Sequence, residues 1–101
     1  MKAINELLSI MKTLRDPDLG CPWDKKQTVD SIAPYTLEEV YEVLDSLENK
    51  DMDALCNELG DLLFHIVFYA EMASDQGDFN FNDVVERVTA KLKRRHPHVF
   101  A

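Results

Sequence analysis

Nine consecutive residues, Leu62-Leu63-Phe64-His65-Ile66-Val67-Phe68-Tyr69-Ala70, are apolar almost all round when wound into a helix, and this run limits what the chain can fold into. A helix without a polar side has to be covered on every side. The chain has 101 residues, near the size at which a single core becomes sufficient. A domain this small has difficulty surrounding such a helix alone, so a second subunit is expected to cover part of it. Hydrophobic residues make up 46% of the sequence, enough for a core and for an interface of that kind.

The remainder reads as helices separated by breakers. Ile4, Leu7, Leu8 and Met11 recur at the i, i+3, i+4, i+7 spacing of an amphipathic helix ending near Arg15. Asp16-Pro17-Asp18-Leu19-Gly20-Cys21-Pro22 interrupts it with two prolines and a glycine, in a loop that carries Trp23 and runs through Lys26. A short helical turn is expected around Thr28 to Ile32. The second main helix is placed from Pro34–Thr36 to about Asn49, with Leu37, Val40, Val43, Leu44 and Leu47 as its apolar stripe. Asp51 suits the N-cap of a third helix from about Met52 to Gln76, which Gly77 ends. Asn80 or Asn82 caps a fourth helix reaching about Arg95, and Pro97 closes it. No segment alternates like a strand, and no repeat or low-complexity stretch occurs. The fold class is all-α, in one domain.

Asp and Glu number 19 against 11 Lys and Arg, a formal charge of −8. Such a surface repels duplex nucleic acid and anionic membrane, but a bound cation can reverse the sign locally and admit a nucleotide. The two cysteines, Cys21 and Cys56, have no paired spacing, and no run is long enough for a signal peptide or membrane span. Both features point to the cytoplasm.

The acids are not scattered. Glu38-Glu39-Val40-Tyr41-Glu42 lies on the second helix and Glu58-Leu59-Gly60-Asp61 on the third. On each helix the i, i+3 pair, Glu39 with Glu42 and Glu58 with Asp61, stands about 60° apart on one face. Both pairs hold the same position relative to their apolar stripes. Packing the helices antiparallel through those stripes would line the four carboxylates along one edge. Like charges so placed repel, and a hard divalent cation with all-oxygen ligands, Mg²⁺ or Mn²⁺, would neutralise them. A solvated acidic face accounts for the pattern equally well, because Thr36-Leu37-Glu38-Glu39 also fits a capping box and acids are common at helix starts. His65 follows Asp61 by one turn and is a candidate outer partner, or simply an interface residue.

The one basic cluster is Lys91-Leu92-Lys93-Arg94-Arg95-His96-Pro97-His98. Lys91, Arg94 and Arg95 share a helix face and could clamp a triphosphate, since Arg contacts phosphate oxygens in bidentate fashion; a cationic last turn is the plainer explanation. Lys12 and Arg15 are further candidates. Trp23 and Tyr35 could stack on a base or sugar, or belong to the core.

With these residues assembled, the sequence resembles the MazG family of nucleoside triphosphate pyrophosphohydrolases over essentially its whole length. The resemblance is carried by the EExxE block at Glu38–Glu42, the ExxD block at Glu58–Asp61, and the stretches GCPWDKKQT, APYTLEEVYEVLD, NELGDLLFHIVFYAEMA and KLKRRHPHVF, which look like the family's N-terminal MazG domain. It implies a four-to-five-helix bundle assembled as a homodimer or dimer of dimers. It also implies Mg²⁺ held by Glu39, Glu42, Glu58 and Asp61, with Glu38 as an additional acid and either Glu38 or Glu39 as the base. Lys91, Arg94 and Arg95 would meet the phosphates. The implied reaction is hydrolysis of an NTP or dNTP to the monophosphate and pyrophosphate, a house-cleaning of nucleotide pools. Family members commonly carry two MazG domains, so residues 1–101 are expected to be a stand-alone domain or the N-terminal part of a longer protein. The alternative reading is a catalytically weak dimerisation or regulatory module that keeps the metal site.

Overall fold

Each helix boundary has a local chemical cause. In the computed structural model, which describes residues 1–100, α1 spans Lys2–Leu14, α2 Pro22–Lys26, α3 Val29–Glu48, α4 Met52–Asp75, α5 Phe81–Arg95 and α6 Pro97–Phe100. No strand occurs among the described residues, so the all-α expectation holds. The loop after α1 folds back on the helix end. Cys21 N–H donates to Leu14 O at 2.9 Å, and the Asp16 carboxylate accepts from Asp18 N–H and Leu19 N–H. Those two donors hold the Asp16 carboxyl below the usual carboxylate range. Gly20 is required here, because a Cβ at this position would stand 2.3 Å from Leu14 O.

The second main helix starts earlier than the sequence suggested. Thr28 and Ser31 form a reciprocal capping box, and α3 continues through Pro34 to Glu48. The turn expected at Thr28–Ile32 is thus the first turn of α3. Thr36 is a mid-helix residue, so the capping box expected for Thr36 and Glu39 is not formed. Pro34 lacks the N–H that would bond to Asp30 O, and a capped first turn, Val29–Ala33, precedes it, which is why it does not set the boundary. The segment Pro22–Lys26, expected as loop, winds into a helix with Pro22 at its first position, where a missing N–H costs nothing.

α3 and α4 are joined by a tight turn in which Lys50 adopts φ 56°. Asp51 N–H donates to Ser46 O and Lys50 N–H to Leu47 O, the paired bonds of a Schellman motif. Gly77 repeats the motif after α4 at φ 79°, with Asp78 N–H on Ala73 O and Gly77 N–H on Ser74 O. Asp51 caps α4 by accepting from Ala54 N–H, and Asn80 caps α5 in a capping box with Asp83. These features match the sequence expectation.

The core lies at one end of the α3–α4 hairpin. Met11 from α1, Ile32 from α3, and Val67, Phe68 and Met72 from α4 are sealed together, flanked by Leu7, Leu8, Phe64, Tyr69 and Phe81. Arg15 pins the α2 segment onto this core. Its Nη1 donates to Asp24 O at 2.7 Å and to Gln27 O at 3.2 Å, its Nε pairs with Asp75, and its guanidinium lies 5.6 Å from the Phe68 ring centroid. Arg15 is therefore engaged in holding the fold together.

Beyond that core, large apolar side chains remain open. Leu37, Val40, Leu44 and Leu47 of α3, and Leu59, Leu63 and Ile66 of α4, are all exposed. From Val85 onward every residue of α5 is exposed, and the helix leans on the bundle only through its first turn. The radius of gyration, 15.8 Å, exceeds the ~13 Å of a compact 100-residue domain, as a helix standing clear of the bundle requires.

Candidate metal centre

The residues of α3 that are not exposed are Ile32, Thr36, Glu39, Val43 and Ser46, at alternating spacings of four and three. This is the seam of a coiled-coil-like packing. Its counterpart on the first half of α4 includes Leu55, Glu58, Leu62 and His65. Glu39 therefore stands in the seam between the helices, and Leu37, Val40, Leu44 and Leu47 face outward, Val43 alone of the predicted stripe lying in the seam. The sequence reading had the helical period right and the phase wrong: it packed the helices through the apolar stripe and left the acids along an edge.

In that seam one carboxylate oxygen each from Glu39, Glu58 and Asp61 lie within 4.8 Å of one another. Glu39 and Glu58 are half-buried and Asp61 is exposed, so the cluster opens to solvent on the α4 side. Glu39 Oε1 is sealed from solvent with no hydrogen-bond partner. Burial is the largest cause raising the Glu39 pKa from its ordinary 4.5 to about 7, followed by the adjacent Glu58 carboxyl, then Asp61 and Glu42. A sealed acceptor without a donor is costly, and two neighbouring carboxylates only add to that cost. The arrangement fits a hard cation: three oxygen donors converge, one lacks any partner, and no thiol or imidazole is among them.

Glu42 is exposed one turn further along α3 and is not among the three converging residues, although its charge is felt at Glu39. Glu38 is exposed beside Glu39. Next to the carboxylates, toward the core, the seam holds a hydrogen-bonded trio in which Thr36 Oγ1 lies 2.8 Å from His65 Nδ1 and 2.6 Å from Tyr69 Oη. Burial lowers the His65 pKa, and Asp61 opposes that shift in part. Sequence reasoning singled out His65 but missed Thr36 and Tyr69. The signal was present, because Thr36 precedes Glu39 by three residues and Tyr69 follows His65 by four, but it becomes visible only in the correct phase.

Trp23 and Tyr35 meet edge to face, with centroids 5.8 Å apart, and Trp23 also abuts Phe68 at 6.3 Å. Both remain nearly half exposed. Tyr35 is one turn before Glu39 on α3. Lys91, Arg94 and Arg95 all lie on the free part of α5 and are exposed. Lys91 shares a hollow of about 300 Å³ with Arg87, Phe79, Asp83, Val84 and Val88. Arg87 was not singled out from sequence, although it stands one turn before Lys91. Cys21 and Cys56 are free thiols, and among the described residues no helix is long and apolar enough to cross a membrane.

Comparison with known proteins places the sequence and the fold in a family. The chain is 61% identical, over its full length and 38% of the other, to a nucleoside triphosphate pyrophosphohydrolase of Escherichia coli K12. It is 48% identical, over 94% of its length and 37% of the other, to the nucleoside triphosphate pyrophosphohydrolase/pyrophosphatase MazG of Thermotoga maritima. The chain thus spans less than two fifths of the length of these relatives. Its fold matches the crystal structure of a mazG-related protein from Thermotoga maritima with a TM-score of 0.78 at 26% identity, covering 95% of this chain and 82% of that one. The family model of the MazG nucleotide pyrophosphohydrolase domain matches residues 27–100. A cluster of seam carboxylates on two antiparallel helices and a sequence match over about three quarters of the chain lead to one conclusion: this chain belongs to the MazG nucleotide pyrophosphohydrolase domain family.

Proposed function

We propose that this domain hydrolyses nucleoside triphosphates, NTP or dNTP, to the monophosphate and pyrophosphate in a Mg²⁺-dependent reaction that clears nucleotide pools. The observation that carries the proposal is the sealed, unpartnered Glu39 oxygen converging with Glu58 and Asp61. Glu39, Glu58 and Asp61 would hold the cation, with the exposed Glu42 as a fourth ligand that swings in from the next turn; Mn²⁺ is a substitute. Bound there, Mg²⁺ supplies charge neutralisation at phosphate oxygens and a template for substrate.

The chain's own residues do the rest. Glu38, exposed beside the ligands, orients a water and accepts its proton as the oxygen attacks the α-phosphorus. The bond from that phosphorus to the bridging oxygen of the β-phosphate breaks, and pyrophosphate leaves. Lys91, Arg94 and Arg95 clamp the β- and γ-phosphates and stabilise the charge on the leaving group. Tyr35, one turn before Glu39, and the Trp23 ring that meets it are the residues on which a base or sugar would stack.

The assembly that fits this chemistry is a homodimer, alone or paired into a dimer of dimers. Its support is the outward apolar face of α3 and α4 together with Val85, Val88 and Leu92, which form a stripe on the free part of α5. Exposed apolar stripes of this extent favour an interface between copies. The two free thiols suit a reducing compartment, and the cytoplasm is the proposed location.

Pyrophosphate release from individual NTPs and dNTPs, with and without Mg²⁺, tests the reading. Binding of Mg²⁺ without turnover would favour the regulatory-module alternative. Within this assay, the Arg94→Ala, Arg95→Ala double variant is expected to raise KM at least tenfold, because a hydrogen bond to a charged group contributes about 1.5–3 kcal/mol and about 1.4 kcal/mol is a factor of ten. Mg²⁺ affinity measured by calorimetry should be unchanged.

The raised Glu39 pKa gives a pH signature. Folded protein holds the Glu39 proton up to about pH 7, whereas the unfolded chain releases it near 4.5. The stability conferred by the protonated form is complete below pH 4.5 and is lost as pH rises through 7. Metal-free protein is therefore expected to lose Tm between pH 5 and pH 8. Mg²⁺ should restore it, with an effect that grows with pH, because the cation favours the ionised carboxylate. A metal-free Tm that rises across that interval would contradict the burial of Glu39.

A further inference from the structure

α2 has only five residues, Pro22–Lys26, and no side-chain cap at Cys21. A helix that short does not persist in water through its own backbone bonds, so its place depends on what holds it from outside. Its free carbonyls, the groups a helix C-terminus leaves open, are met by side chains. Arg15 Nη1 donates to Asp24 O at 2.7 Å and to Gln27 O at 3.2 Å, and Gln27 Nε2 donates to Trp23 O at 3.0 Å. The Gln27 amide is fixed in turn, because its Oε1 accepts from the Ser31 hydroxyl at 2.7 Å. These donors have one assignment. A guanidinium has nothing but N–H groups to offer, and the reversed amide would set an oxygen against Trp23 O.

Arg15 is itself held. Its Nε pairs with Asp75 at 3.2 Å, its guanidinium carbon lies 5.6 Å from the Phe68 ring centroid, and its side chain is largely buried. Trp23 leans on the same Phe68 ring at 6.3 Å and meets Tyr35 at 5.8 Å, both edge to face, while nearly half of its surface stays open. α2 is thus a short strap tied down by polar bonds to α1 and its own flank, and the side chain it displays is a half-open aromatic.

We infer that Arg15 is a positioning residue for nucleotide binding, with Gln27 as its accessory: together they fix α2 so that Trp23 stands beside Tyr35 as a stacking surface formed before the base arrives. This inference rests on the proposed role of Trp23 and Tyr35 and adds to it the residues that order them. A ring already held in place loses less freedom on binding than a mobile one. Loosening α2 therefore weakens the hold on the base and leaves the phosphates and the cation untouched.

Trp23 is the only tryptophan, so its emission reports this surface directly. Arg15→Lys keeps a charge for Asp75 but cannot span two carbonyls, and Gln27→Ala removes the donor to Trp23 O. In the ligand-free chain both variants are expected to shift Trp23 emission to longer wavelength and to increase its quenching by acrylamide. In the pyrophosphate-release assay with the best-cleaved NTP, both should raise KM about tenfold, the scale of one base–aromatic stack, with kcat unchanged. Inhibition by tripolyphosphate, which carries phosphates and no base, should be the same in all three proteins. A folded variant with wild-type KM overturns the inference. So does a rise in KM matched by weaker tripolyphosphate inhibition, since Arg15 would then serve the phosphates or the fold as a whole. Circular dichroism and Tm identify a variant that fails to fold, and if Arg15→Lys is one, Gln27→Ala decides alone. Wild-type protein that cleaves no NTP overturns the hydrolase reading instead. The inference is then decided by binding of α,β-methylene ATP, read from Trp23 emission, which should be about tenfold weaker in the variants. Wild-type emission that does not respond to this analogue overturns the stacking role and the inference together.

Discussion

Glu39→Gln is expected to remove turnover and, in metal-free buffer at pH 8, to raise Tm. The two effects have one cause. Glu39 Oε1 is sealed in the α3–α4 seam without a donor, against Glu58 and Asp61. At pH 8, above its raised pKa of about 7, the carboxylate is ionised while half-buried beside two other carboxyls, a charge that a cation would compensate. Glutamine keeps the volume, removes the charge and can donate an N–H to Glu58. Each kcal/mol recovered raises Tm by about 4–8 °C in a domain of this size. On the proposed reading, the same substitution removes the most deeply placed of the three converging carboxylates. Outer partners of metal sites already cost about 10–100-fold when lost, so the loss in kcat/KM should exceed about 100-fold. Mg²⁺ should also cease to stabilise the variant. A variant with wild-type Tm in the absence of metal and wild-type turnover in its presence would show that the seam carboxylate is an ordinary surface acid.

Phe68→Ala should have the largest effect on stability and none that is specific to the chemistry. Phe68 is fully buried, meets Phe64 and Trp23 edge to face at 5.5 and 6.3 Å, and lies beneath the Arg15 guanidinium. Its removal leaves a cavity on which α1, α2, α3 and α4 all depend. Phe→Ala at such a site costs about 3–5 kcal/mol, against a total of about 5–15 kcal/mol for a typical domain. Tm should fall by more than about 12 °C. The α2 segment should become accessible to protease first, because Arg15 holds Asp24 O and Gln27 O from the same side. A loss below about 1 kcal/mol would mean that the core is centred elsewhere.

Much of this protein could be read from the order of its residues. Helices announce themselves by short-range signals, namely apolar spacing, Asp51 and Asn80 as caps, and Gly77 as a stop, and each of these works within about one turn. The acid pattern was legible for the same reason: carboxylates at i, i+3 on two successive helices are a local pattern, and three of the four, Glu39, Glu58 and Asp61, converge in the structure. Where local signals competed, reading failed. Pro34 suggested a start, although Thr28, six residues earlier, had already capped α3 together with Ser31.

Only the tertiary structure decided which face of α3 is inside. Two stripes one helical step apart were available, one mostly of leucine and valine and one carrying Thr36, Glu39 and Ser46. Hydrophobicity alone chooses the first for the seam, yet the chain places the polar stripe there and turns the leucines outward. The period of a helix is a property of its own backbone, whereas the phase of its packing depends on the surface it meets. That surface, the Glu58, Leu62 and His65 face of α4, is distant in sequence and is brought opposite Glu39 only when the Lys50 turn closes the hairpin.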